Sequence, residues 1–139
     1  MKISKLIATA AVALVFSPIG SVPAYAQEAG TVTPNFAAAI PNIPGKSLIA
    51  VEVELAPGQV GDPHMHADSA FIYAYVVSGA IESKVDNEET RIYHAGESWS
   101  ERPGAIHAIS RNVSQTEPAK LLAVFIVDSD DKEMVKPVK

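Results

Sequence analysis

The chain has 139 residues, with 11 lysines and arginines against 16 aspartates and glutamates, which gives a formal net charge of −5. This acidic balance disfavours a nucleic-acid partner, because neutralising a phosphate backbone requires clustered lysine and arginine. Cysteine is absent from the sequence, which excludes disulfides, thiol catalysis and thiolate metal ligands.

The first 26 residues have the features of a cleaved export signal. Lys2 and Lys5 give it a positive start, an apolar stretch covers residues 6–16, and the Ala-Tyr-Ala at 24–26 is a small-x-small cleavage site. The apolar stretch is shorter than the roughly 20 residues that cross a bilayer, so no membrane anchor is expected. Cleavage after Ala26 predicts a periplasmic or secreted protein of 113 residues, enough for one compact domain.

Prolines and glycines interrupt residues 27–45 throughout. This composition predicts an extended N-terminal arm along the domain, with at most a helical turn at 37–40. From Ser47 the pattern changes to strict alternation, with apolar residues at every second position from Ile49 to Leu55. Such alternation predicts a strand with one buried face and one face in solvent.

Several further short strands are predicted, separated by turn residues. Ser78-Gly79 and Asp86-Asn87 are typical of hairpins. Many short strands without helical periodicity favour an all-β sandwich or barrel, which we assign to residues 46–128, followed by a loose charged C-terminal tail at 129–139. The predicted strands after the first are 71–77, 80–85, 90–93, 98–101, 106–110 and 121–128.

Three of the four histidines predict a metal site. His64 and His66 are two residues apart, and such residues project to the same side of a strand. Both imidazoles can therefore reach one ion, and His107 on a neighbouring strand can supply a third nitrogen. His94, beside an Ala-Gly turn, is expected at the surface.

Two groups of residues resemble the two motifs of the cupin family, in which glycine turns and histidines follow a set spacing. The resemblance covers about residues 46–128. It implies a small single-domain type-2 cupin, a double-stranded β-helix (jelly-roll barrel) with His64, His66 and His107 pointing inward as metal ligands. The first motif is matched by Gly58, His64, His66 and Gly79, and the second by Gly96, Pro103, Gly104, His107 and Asn112.

The chain departs from the family pattern in two places. The pattern has a glutamate shortly after the second histidine and seven residues before the closing glycine, but here the corresponding counts fall on Ala70, Phe71 and Ile72. Three neutral imidazoles would leave a divalent ion its full charge and favour an anionic or enolate-like ligand. The spacing from His107 to Asn112 is one residue longer than usual, which leaves the role of Asn112 open.

Two carboxylates are candidates to replace the missing ligand. Asp68 has the same parity as the histidines, but it is short and is expected in a turn, where it would act as a loop cap. Glu101 has a longer reach and precedes the turn that leads to His107. It is also the candidate for catalytic proton transfer. The alternative interpretation is that Glu101 lies at a solvated strand end and has no role in the site.

Aromatic residues of two predicted strands allow more than one arrangement. Trp99 shares a face with Glu101, and core or interface packing is favoured over a place in the pocket. In residues 71–76 we expect the aliphatic positions to face the interior and the aromatic ones to face outward, where a second subunit could cover them. A slip by one residue would instead bring Tyr73 near the metal.

The leading functional hypothesis is an exported metal-dependent cupin enzyme that acts on a small anionic or oxygen-rich molecule. Its ion would be Fe, Mn, Zn, Ni or Cu, and its chemistry of the Lewis-acid or oxygenase type. The competing hypothesis is a non-catalytic module that binds a metal or small ligand. A third is a structural domain with vestigial histidines. The Tyr-rich strand is also compatible with a homodimer, and the sequence leaves the oligomeric state open.

Overall fold

The computed structural model describes residues 30–138, so the signal predicted at 1–26 lies outside the described residues. Within this range no helix is long and apolar enough to span a membrane. The described residues form eleven strands: β1 (Thr31–Ala39), β2 (Lys46–Leu55), β3 (Val60–Gly61), β4 (His64–His66), β5 (Phe71–Ser78), β6 (Ala80–Val85), β7 (Arg91–His94), β8 (Ser98–Glu101), β9 (Ile106–Asn112), β10 (Ala119–Asp128) and β11 (Val135–Pro137).

The strands form two antiparallel sheets around one core. The first sheet has the order β1-β2-β10-β5-β8, and the second has the order β11-β4-β9-β6-β7 with β3 beside β9. Buried aliphatic side chains from both sheets make up a single hydrophobic cluster. The predicted all-β jelly-roll barrel is confirmed.

The predicted strand faces are confirmed where they shape the interior. Val51, Val53 and Leu55 of β2 are buried, and Glu54 between them is exposed. On β5 the aliphatic positions are buried and the aromatic positions are exposed, so the slip that would place Tyr73 inside does not occur. The inward residues of β5 are Ile72, Ala74 and Val76, and the outward ones are Phe71, Tyr73 and Tyr75.

Both ends of the described chain are more regular than predicted. The expectation of a helical turn at 37–40 is wrong, because β1 extends to Ala39 and pairs with β2 along its length. The pairing contains a bulge between Pro34 and Phe36. An edge strand with a bulge tolerates proline, since its outer N–H groups have no partner strand. The prediction of a loose C-terminal tail is wrong for β11, because this strand pairs with β4 and its residue Val135 is buried.

The two predicted hairpin turns differ in outcome. Asp86-Asn87 connects β6 to its partner β7 and is a hairpin as predicted. Ser78-Gly79 is not a hairpin, because β5 and β6 belong to different sheets and the turn is a corner between them. Gly79 is required at this corner: its φ is +73°, and a Cβ atom would lie 2.9 Å from the Cα of Ala119.

Candidate metal centre

The three predicted ligands converge in the barrel interior. His64 and His66 lie on β4 with both side chains buried, and His107 on β9 is buried as well. His64 and His107 are direct cross-strand partners. One ligand atom from each ring can be chosen so that all three lie within 4.8 Å of one another. The structure therefore brings these three residues together, as the sequence predicts.

Backbone carbonyls orient the two histidines of β4. His64 Nδ1 donates to the carbonyl oxygen of Asp62 at 2.8 Å, and His66 Nδ1 donates to that of Met134 at 3.1 Å. A carbonyl only accepts, so each Nδ1 carries the hydrogen and each Nε2 carries a lone pair. This is the tautomer in which Nε2 can bind a metal.

Ser83 orients the third histidine and was not identified from the sequence. Its buried hydroxyl lies 2.9 Å from His107 Nε2, and His107 Nδ1 lies 3.4 Å from Glu101 Oε1. The available signal was the alternation of β6, which places Ser83 between Ile81 and Val85 on the inward face. A serine at an inward position of an apolar strand face is a candidate for holding a polar partner.

Glu101 lies in the site with only 2% of its surface exposed. Trp99 Nε1 donates to Glu101 Oε1 at 3.1 Å. The other oxygen, Oε2, lies 3.5 Å from His66 Nε2 and accepts no hydrogen bond from the described residues. Core packing was favoured for Trp99 over a place in the pocket, but both descriptions apply. Its ring is buried, and it also lines the cavity beside these groups.

The two remaining candidates lie outside the site. The carboxylate of Asp68 is 75% exposed and pairs with Lys136 Nζ at 3.0 Å. The ligand role, which was the less favoured interpretation of Asp68, is therefore excluded, because β4 ends at His66 and the side chain of Asp68 faces solvent. His94 is exposed at the end of β7, as expected.

Burial keeps two of the histidines neutral. It lowers the pKa of His66 to about 4, and the nearby carboxylate of Glu101 opposes this shift only in part. Burial, and then the proximity of His64, lowers the pKa of His107 to about 3. The contacts of these rings with Glu101 are therefore not ion pairs at neutral pH. Neutral imidazole is the form that ligates metal, so these two rings need no deprotonation step at pH 7.

A small cavity of about 30 Å³ lies against these side chains. A single water requires roughly 10–15 Å³ on this measure, so there is room for about two water-sized groups. The rest of its wall is mainly apolar and comes from β2, β5 and β10. These wall residues are Val53, Leu55, Ile72, Ala74, Leu121 and Ala123.

The residues of the centre fit a divalent metal ion. Three imidazoles, two of them with tautomers set by backbone carbonyls, are suitable donors, and a buried carboxylate oxygen that accepts no hydrogen bond from the described residues lies beside them. Ligands about 2.1 Å from a tetrahedral ion are about 3.4 Å apart. The largest separation among the three histidine atoms is up to 4.8 Å, so ligation requires side-chain shifts of about an ångström.

Asn112 has a structural role outside the centre. It is fully buried, and its amide nitrogen donates to the carbonyl oxygens of Leu55, Ala56 and Glu117 at 3.2, 3.1 and 2.8 Å. Its side-chain oxygen accepts from the backbone N–H of Ser114 at 3.0 Å. Asn112 thus ties the end of β9 to the end of β2.

The chain belongs to the cupin family: the family model of the cupin domain matches residues 51–125, which is more than half of the chain. No curated protein sequence matches it. The resemblance predicted from the two motifs is therefore confirmed at the level of the family.

Solved structures share this fold. TT1209 from Thermus thermophilus is 26% identical over 70% of this chain and 83% of that chain, with a TM-score of 0.56. An oxalate oxidase is 22% identical over 79% of this chain, with a TM-score of 0.57, and the match spans 55% of the oxidase. DMSP lyase structures are 18% identical over 66% of this chain and 44% of that chain, with a TM-score of 0.55.

Proposed function

We propose that the mature chain is an exported metal-dependent cupin enzyme that acts on a small anionic or oxygen-rich molecule inside the barrel. The observation that carries the proposal is the buried group of His64, His66 and His107. Burying three imidazoles in an apolar core costs free energy, and metal ligation offsets this cost. The signal at residues 1–26 supports a periplasmic or secreted location.

The donor set suits Fe, Mn, Zn, Ni or Cu, because imidazole is a good ligand for these metals. A bound ion would supply Lewis-acid polarisation of a substrate oxygen or, with a redox-active metal, oxygenase chemistry. The chain's own residues define the surroundings. The apolar walls exclude water, and Glu101 can take a proton from the substrate and return it, while Trp99 fixes the direction of its carboxylate.

The volume of the cavity limits the substrate. About 30 Å³ admits the reacting end of a ligand but not a large molecule without movement of the walls. Carboxylates and hydroxy acids of two to four carbons are therefore the first class to test. Oxalate and glycolate belong to this class, and a solved oxalate oxidase is described in complex with glycolate.

The test begins with elemental analysis of mature protein purified without a histidine tag. We expect about one divalent ion per chain. Metal-loaded protein is then assayed against the small-acid panel with and without a chelator, and the expected result is turnover that the chelator stops. A His94→Ala variant is the control, because this histidine is exposed at the end of β7 and is separated from His107 on β9 by strand β6. Wild-type protein that contains no stoichiometric metal would contradict the proposal.

The small cavity also favours a second candidate, a cupin module that binds a metal or small ligand without turnover. Thermal unfolding distinguishes it from a metal-free scaffold, since an ion bound only to the native state raises stability by mass action. Metal-dependent stabilisation without turnover in the panel would favour the binding module.

We propose that a second copy of this chain covers the outer face of the first sheet. Phe36 on β1, Tyr73 on β5 and Ile126 on β10 are exposed on this face. Cross-strand pairing places Phe36 and Tyr73 in one row of side chains across the sheet and Ile126 in the next row. Four strands at about 4.8 Å spacing and three rows of side chains give a face of roughly 20 Å by 20 Å. This is about 400 Å², comparable to the largest exposed patch of a typical monomer, which is often functional. A two-fold axis would pack the face against itself.

A further inference from the structure

Ile72 and Glu101 lie directly opposite each other on the neighbouring strands β5 and β8. Both side chains are buried and line the cavity. Ile72 stands seven residues before Gly79, where the cupin pattern has its acid. We infer that Glu101 supplies the carboxylate ligand of the metal site from the adjacent strand. This inference rests on the proposed metal-dependent function.

Distances between Glu101 and two of the three histidines, His66 and His107, fit ligands of a shared ion better than hydrogen bonds. Its Oε2 lies 3.5 Å from His66 Nε2, and its Oε1 lies 3.4 Å from His107 Nδ1. Ordinary hydrogen bonds of nitrogen to oxygen measure about 2.7–3.2 Å. Ligand atoms that share a tetrahedral ion are about 3.4 Å apart. The carboxylate is therefore at the separation that two ligands of one ion adopt.

The surroundings of Glu101 also indicate a missing positive partner. Among residues 30–138 no lysine or arginine lies within salt-bridge distance of its carboxylate, although the side chain is only 3% exposed. Trp99 donates to Oε1, whereas Oε2 accepts no hydrogen bond from the described residues. Burying a carboxylate without a cation or full hydrogen bonding is costly. A divalent ion beside Oε2 would supply that partner.

A carboxylate ligand supplied by β8 gives the site different properties from those expected of three histidines alone. A ligating carboxylate reduces the formal charge of a divalent centre by one unit, so the centre attracts anions less than a three-histidine site would. Glu101 is then first a ligand and becomes available for proton transfer only when a substrate oxygen displaces it.

The first test compares metal affinity in matched variants. Glu101→Gln keeps the size of the side chain and removes its charge, Asp68→Asn does the same at an exposed carboxylate, and His107→Ala removes a proposed histidine ligand. Affinity of the mature protein for Co²⁺ is measured by competition with a chelator, together with the visible absorption of bound Co²⁺. We expect Glu101→Gln to weaken affinity by more than about 100-fold and to alter the spectrum, and Asp68→Asn to change neither.

A second test moves the carboxylate back to β5. In the Glu101→Gln background, Ile72→Glu restores a carboxylate directly across the strand pair, and Ile72→Gln is the neutral control. We expect Ile72→Glu to recover at least about 10-fold in Co²⁺ affinity relative to Ile72→Gln. Equal affinities of these two double variants would contradict a ligand site shared between the strands.

The outcomes separate this inference from the proposed function. If Glu101→Gln binds Co²⁺ like the wild type while His107→Ala does not, the three-histidine site stands and the ligand role of Glu101 is overturned. If both variants bind like the wild type, the proposed function itself fails. Should Glu101→Gln not fold, a crystal structure of Co²⁺-loaded wild-type protein decides. A Glu101 oxygen at about 2.0–2.2 Å from the ion supports the inference, and one beyond about 3 Å overturns it.

Discussion

His64 and His107 face each other across the antiparallel pair of β4 and β9, with ring centroids 5.1 Å apart. His66 lies two residues further along β4 on the same face, with its ring centroid 4.8 Å from that of His64. Strand pairing thus sets the positions of all three rings through the register of two short strands. A shift of this register by one residue would turn a histidine to the outside.

The first prediction concerns the link between metal and stability. An ion at about 100 times its dissociation constant stabilises a native-state binder by about 2.7 kcal/mol. We expect this increase in the free energy of unfolding for the wild type and for His94→Ala, and less than about 0.5 kcal/mol for His107→Ala. Thermal and urea unfolding with and without added metal measure it. Equal stabilisation of His107→Ala would show that the ion binds elsewhere.

The second prediction concerns Ser83. Removing its hydroxyl leaves His107 Nε2 without the partner at 2.9 Å that holds the ring. Groups that orient a ligand in this way contribute about 10- to 100-fold to metal affinity. We expect Ser83→Ala to weaken metal affinity by that factor in chelator competition. Ser100→Ala is the matched control, because Ser100 is exposed on β8, and a loss of affinity in the control would point to a general effect on the fold.

The third prediction concerns the pH dependence of stability in metal-free protein. Burial holds the folded-state pKa of His66 at about 4 and that of His107 at about 3, below the ordinary value of 6.5. Below pH 6.5 the unfolded chain takes up protons that the folded protein does not. The contribution of these neutral rings is therefore complete above pH 6.5 and is lost as the pH falls towards 4, by up to about 1.4 kcal/mol per pH unit for each ring.

Urea unfolding between pH 7.5 and 4.5 in the presence of a chelator measures this slope. His66→Gln should reduce the slope below pH 6.5, whereas His94→Gln, which changes an exposed ring, should not. Wild type and His66→Gln share every other titrating group, so the difference between their slopes isolates His66. Identical slopes for wild type and His66→Gln would refute the assignment.

The fourth prediction concerns the outer face of the first sheet. Tyr73→Glu places a charge in the middle of the proposed dimer interface, and its burial there would be unfavourable. We expect the dimer dissociation constant to rise by at least about 100-fold, as measured by sedimentation. Ile92→Glu is the control, since Ile92 is 44% exposed but lies on β7 in the other sheet. A monomeric wild type at high micromolar concentration would contradict the dimer.

The sequence predicted the features that depend on local periodicity. Alternation identified the inward faces of β2 and β5, and the two-residue spacing of His64 and His66 fixed their common direction. Glu101 was recognised as a candidate because it stands shortly before His107. Its pairing with Ile72 depends on the register of β5 and β8, which are separated by 19 residues and two other strands, and such registers leave no mark in local sequence.

Features that depend on long-range contacts were missed or misjudged. The proline-rich segment before Gly45 reads as irregular, yet the free edge of β2 holds it as a strand. Ser78-Gly79 has hairpin chemistry, but the choice between a hairpin and a corner depends on which sheet each flanking strand joins. The alternation of β6 indicates that Ser83 faces inward, but its partner His107 follows only from the pairing of β6 with β9.

The order of strand β11 is linked to the occupancy of the metal centre. Val135 pairs with His66 on β4, and the carbonyl of Met134 accepts from the ring of His66. Fraying of β11 removes that acceptor, and by reciprocity an ion that immobilises the ring opposes fraying. Hydrogen exchange of the backbone amides of β11 should therefore slow when the centre is filled, so this strand serves as an indicator of occupancy in the interior.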